Sequence, residues 1–106
     1  MLRNERPYSN ENGYEDAGLV TSHPEEEQEI VFRWIRERLA PGKTVNYRHT
    51  SYGLKHLMHS ETGIYLTNNE FKDAMMICRY MPSNPNELNW HYRISERSPI
   101  FTRCRR

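Results

Sequence analysis

YRHTSYGLKHLMHSETGIYLTNNEFKDAMM, residues 47–76, holds two helix starts, a glycine turn and three histidines within thirty residues. Thr67-Asn68-Asn69-Glu70 sets a threonine three residues before a glutamate. At that spacing each side chain satisfies the other's backbone N–H, so a helix starts there and runs to about Arg79. Phe71, Ala74, Met75 and Cys78 share one face of it, while Lys72, Asp73 and Arg79 fall elsewhere. Upstream, a shorter helix covers about Ser51 to Ser60 with Leu54, Leu57 and Met58 inward. Gly53 weakens it by roughly 1 kcal/mol relative to alanine, or lets another backbone approach closely. Glu61-Thr62-Gly63 closes this helix, with Gly63 suited to a left-handed cap.

Working outward, SHPEEEQEIVFRWIRERLAPG (residues 22–42) reads as a further helix. Ser22 is placed to cap it, Glu25 lies three residues on, and Pro24 falls in the first turn. Glu25, Glu26, Glu27 and Glu29 occupy the positive end of the dipole, and Arg33, Arg36 and Arg38 follow toward the negative end. Val31, Trp34, Ile35 and Leu39 form the apolar stripe, widened by Ile30 and Phe32. Pro41-Gly42 stops it. Residues 43–50 are a polar connector that could be extended. In LNWHYRIS (88–95), Trp90, Tyr92 and Ile94 alternate with His91, Arg93 and Ser95, the period of a strand with one buried face. Ile100-Phe101-Thr102 could pair with that strand or pack as a short tail. Residues 1–21 are polar, carry Pro7, Gly13 and Gly18, and lack periodicity. They are expected to form a flexible or loosely docked arm, with 22–106 as one domain. Tyr8, Tyr14, Glu11, Glu15 and Asp16 give the arm an acidic, tyrosine-bearing character.

A chain of 106 residues with 36% apolar types has room for one domain and a modest core. The formal net charge of +1 averages two unlike halves. Residues 1–42 carry five Lys/Arg against nine Asp/Glu, a net of −4, and residues 43–106 carry ten against five, a net of +5. No apolar run approaches the ~20 residues of a membrane span, and the first residues lack a signal peptide's apolar segment. A disulfide between Cys78 and Cys104 is possible, but two cysteines make no framework of several bridges, so reduced thiols in a cytoplasm are the simpler expectation.

His56-x-x-His59 places two rings on one helix face, with His49, His91, Cys78 and Cys104 elsewhere in the chain. The tight paired spacings of small zinc sites are missing, so no metal is expected. Pro41-Gly42-Lys43-Thr44 lacks the preceding glycine of a phosphate loop. No Ser or Cys sits in a nucleophile motif. A protein that is not an enzyme and carries no cofactor is expected. Met58, Met75 and Met76 serve as core gap fillers or line an adaptable groove.

The elements make a mostly α chain with a small β element, an α+β class. Their order resembles a helix-turn-helix core followed by a short wing-like strand or hairpin. It is similar to the small winged-helix-like modules of phage and mobile-element proteins, which also end some phage primase-helicases. The resemblance spans about residues 28–95. Ser51-Tyr52-Gly53-Leu54-Lys55-His56, Gly63, Tyr65, Thr67 through Phe71, Tyr80 and Asn89 through Ile94 carry it. Such modules usually have a glycine just before the position of Tyr80, and here it is Arg79.

The resemblance implies a DNA reader whose helix 67–79 enters the major groove N-terminus first. Asn68, Asn69 and Lys72 would then face bases. Arg48, His49, Thr50, Ser51 and Lys55 would flank them on the phosphates, and Arg93 would contact from the wing. Against this, Asn68 and Asn69 also serve simply as helix-start residues, and Asp73 repels phosphate. The alternative partner is a host nucleic-acid-handling nuclease, inhibited in the manner of an anti-CRISPR protein. The acidic stretch from Tyr8 to Glu29 would compete for its basic channel. A homodimer built through Phe32, Trp34 or the strand edge is a further expectation.

Overall fold

Pro24, not Ser22, precedes the first turn of helix α1 (Glu25–Arg38) in the computed structural model, which describes residues 1–11 and 14–102. Ser22 instead ends a single 3-10 turn over Val20–Ser22 and donates its hydroxyl to the Leu19 carbonyl. Glu25, Glu26 and Glu27 in the first turn and Arg36 and Arg38 in the last complement the helix dipole. Val31, Trp34, Ile35 and Leu39 are buried, as the stripe predicts, while Ile30 stays exposed.

From α1 the chain passes directly into strand β5 (Pro41–Asn46), which pairs antiparallel with β6 (Tyr92–Ile94). The partner of the aromatic strand is therefore the polar connector. Ile100 and Phe101 lie in a 3-10 turn (Pro99–Phe101), where Phe101 stacks on His49 with ring centroids 3.8 Å apart. Gly42 permits the pairing, because a Cβ there would lie 2.9 Å from both the Ile94 carbonyl carbon and the Ser95 nitrogen. Along β6 the expected alternation holds: Tyr92 and Ile94 are buried and Arg93 is exposed.

Helix α2 (Ser51–Thr62) starts with the Thr50 hydroxyl accepting from the Gly53 N–H at 3.2 Å and ends at Gly63, whose φ is +79°. Helix α3 (Asn68–Ile77) opens with the Thr67–Glu70 reciprocal cap, both bonds being formed. The core is one cluster in which Leu54, Met58, Leu66, Phe71, Met75 and Trp90 meet the α1 stripe. The molecule is α+β, with three α-helices and small antiparallel pairs among the described residues. Among the described residues no helix is long and apolar enough to cross a membrane.

The first 21 residues depart from expectation. Strands β1 (Leu2–Arg3) and β2 (Arg6–Pro7) form one hairpin, and β3 (Ser9–Glu11) and β4 (Tyr14–Asp16) form another. Instead of a flexible arm, the described part of this segment is a cover laid on α3. Arg6 clamps the Asp73 carboxylate with bonds of 2.6 and 2.7 Å, and the Val20 N–H donates to the same group at 3.0 Å. Tyr8 is buried, with Arg3 over its ring. The side chains of Glu11 and Tyr14, and all of Cys104, lie outside the described residues.

Candidate functional site

The nine residues expected to contact DNA fall into three groups. Asn69 and Lys72, expected at an exposed first turn of α3, are 0% and 1% exposed, so that expectation is corrected. The Asn69 amide donates to the Pro7 and Gly18 carbonyls and accepts from the Ser9 hydroxyl, so all its bonds go to the covering segment. Lys72 donates to Ser9 Oγ at 3.0 Å and lies 4.8 Å from the Trp90 ring centroid. Burial pushes its pKa down to about 8, against the attraction of Asp16. A polar face on a helix signals solvent only when no polar segment packs against it. Here one does, and it satisfies each group.

A second group holds the turn together. Ser51 Oγ donates to Asn68 Oδ1 at 2.9 Å and accepts from the Trp90 N–H at 3.0 Å. Asn68 donates in turn to Asn89 Oδ1 at 2.9 Å. Thr50 is the α2 cap, and His49 lies between the Phe101 ring and Glu96, 3.0 Å from its carboxylate. These residues fix where α2, α3 and β6 meet, and their hydrogen-bonding groups are largely committed inside the molecule.

Arg48, Lys55 and Arg93 form the third group. Arg48 and Arg93 are exposed. Lys55 is unusual. It is only 4% exposed, yet no carboxylate and no hydrogen-bond acceptor pairs with its ammonium among the described residues. The ammonium sits 4.5 Å from the Tyr65 ring centroid and 5.4 Å from that of Tyr52. Burial lowers its pKa. Both tyrosines are more than half exposed, and His56 and His59 pack edge-on against them. The histidines thus shape the rings; among the described residues no group of three or more His, Cys, Asp or Glu comes together to hold a metal.

Tyr52, Lys55, His56 and Tyr65 line a cleft of about 310 Å³ together with Asp16, Thr67 and Asn68. Asp16 also lines the cleft but makes no ion pair with Lys55; its oxygens accept from the Gly18 and Asn69 N–H groups and the Thr67 hydroxyl. The cleft therefore offers one unpaired cation between two exposed ring faces, a fit for an anion joined to a planar group. Sequence reasoning took Lys55 as a flank and missed the tyrosines. The available signal was their spacing, since Tyr52, Lys55 and His56 share one helix face. Comparison with protein-family models, curated proteins and solved structures finds no match for this chain.

Proposed function

We propose that this chain is a small, non-catalytic nucleic-acid-binding accessory protein of winged-helix-like architecture, of the kind phages and mobile elements encode, working in the cytoplasm. The order α1–β5–α2–α3–β6 supports the architecture. The covered polar face of α3 argues against contact through that helix and in favour of the outer side of α2. The observation that carries the proposal is Lys55, unpaired between the exposed rings of Tyr52 and Tyr65. A base stacked on such a ring contributes about 1–3 kcal/mol, and the ammonium takes the adjoining phosphate. Bases already stacked in a duplex cannot reach these rings, so an unpaired strand is the form bound. Arg48, exposed just before α2, adds a backbone contact.

Fluorescence anisotropy with a labelled single strand and the matching duplex tests this at low and moderate salt. Strand binding should weaken with salt, and Lys55→Gln and Tyr65→Ala should each reduce affinity about tenfold. No strand binding at low salt, or unchanged affinity in both variants, overturns it. The exposed Glu25, Glu26 and Glu29 on α1 favour a second function, inhibition of a nucleic-acid-handling nuclease by filling its basic channel. Capture of such a nuclease from host lysate after nucleic acid has been digested away, with affinity lost in a Glu25, Glu26, Glu29→Gln variant, would select it.

A further inference from the structure

Helix α3 ends with the Cys78 N–H bonded to the Ala74 carbonyl, Arg79 N–H to Met76, and Tyr80 N–H returning to Met75. That closing pattern turns on one left-handed residue, a position glycine fills because it has no Cβ to clash. Here the residue is Arg79, with φ +74°. A non-glycine residue on a backbone conformation that glycine would adopt more easily points to a use for its side chain.

Arg79 opens onto a groove of about 770 Å³, at the opposite end of α3 from Lys55. Arg36 reaches it from α1, and Arg93 from β6, turned outward by the burial of Tyr92 and Ile94 on either side. No Asp or Glu lines this groove, and none of the three arginines has a carboxylate partner among the described residues. Tyr80, Met81 and Leu39 supply ring and apolar surface between the cations. The volume is that of a small-molecule site. Three arginines line it with no carboxylate opposite them, and one stands on a backbone conformation that glycine would adopt more easily. Planar guanidinium groups pair bidentately with phosphate oxygens, which an ammonium cannot do.

We infer that this groove binds the phosphate of a nucleotide, its arginines on the phosphate oxygens and its base against Tyr80 and Met81. The nucleotide is either free or the terminal unit of a strand. The groove shares no lining residue with the Tyr52–Lys55–Tyr65 cleft, so the inference does not rest on the function proposed above.

Calorimetric titration of the full chain with AMP, adenosine, and a 5′-phosphorylated or 5′-hydroxyl oligonucleotide tests it. Either AMP should bind about tenfold more tightly than adenosine, identifying a free nucleotide, or the phosphorylated strand should outbind the hydroxyl strand by a similar factor, identifying a strand end. Arg79→Gly should keep or raise the thermal midpoint while weakening that phosphate-dependent binding about tenfold, and Arg93→Gln should weaken it in a folded protein. Lys55→Gln should leave the advantage given by the phosphate intact, even where it lowers the affinity of both strands, which separates this site from the cleft. The inference is overturned if phosphate confers no advantage in either pair, if Arg79→Gly and Arg93→Gln both retain binding, or if Lys55→Gln alone abolishes it.

Discussion

Lys72 shows how one side chain can be misjudged from its type. A lysine at a helix start reads as solvated, yet this one is 1% exposed, with Ser9 and the Trp90 ring for company. Its burial has a measurable consequence, since the pKa falls from 10.5 to about 8. Below about 8 both folded and unfolded chains carry the proton, and the folded state bears the whole cost of burying it. Between about 8 and 10.5 the unfolded chain holds a proton that the folded chain has released, so stability rises with pH across that window. Lys72→Met should abolish this rise. In urea titrations at pH 7 and pH 10, the gap between the two proteins should change by up to about 3 kcal/mol. Parallel pH profiles would show that Lys72 is solvated after all. Asn69 and Asp73 were hidden for the same reason: their partners, Ser9 and Arg6, are as polar as water.

Helices with strong local signals stand close to where the sequence puts them, although α1 starts after Pro24 rather than at Ser22 and α3 ends at Ile77 rather than near Arg79. The Thr67–Glu70 cap, the Gly63 turn and the α1 stripe all depend on residues within a few positions of one another, and periodicity reports them. Strand pairing depends on distant residues. The 88–95 pattern identified a strand but not its partner, because β5 carries no alternation of its own. What marks β5 as the partner is Gly42, whose missing Cβ admits the Ile94–Ser95 backbone. Gly42→Ala should therefore push β5 from β6 and cost about 1–3 kcal/mol, read as a lower urea midpoint. It should also speed exchange of the Ser95 amide, which donates to the Ala40 carbonyl at 2.8 Å. An unchanged midpoint and slow exchange would mean the two strands do not approach this closely. The hairpins of residues 2–16 left no periodic trace, since strands of two or three residues are too short to show one.

Taken as a body, the molecule is a helical core whose third helix is roofed by its own N-terminal segment. The roof is joined by the Arg6–Asp73 clamp, the Asn69 bonds to Pro7 and Gly18, and the buried Tyr8. Removing residues 1–18 should lower stability by at least about 3 kcal/mol, because Asp73 would lose its guanidinium and Asn69 its acceptors. The intact chain should unfold in one transition, by calorimetry and by tryptophan fluorescence alike; a separate early transition would mark the segment as an independent arm. Truncation consequently cannot separate a DNA reader from an acidic inhibitor, because the loss damages the fold under either function. Contact mapping can. In an NMR titration of the isotope-labelled full chain with a short single-stranded oligonucleotide, amide shifts should gather at Tyr52, Lys55 and Tyr65, while Asn69 and Lys72 stay still. Shifts concentrated on α3, with residues 6–9 released from it, would contradict the covered-helix structure and return the contact to α3.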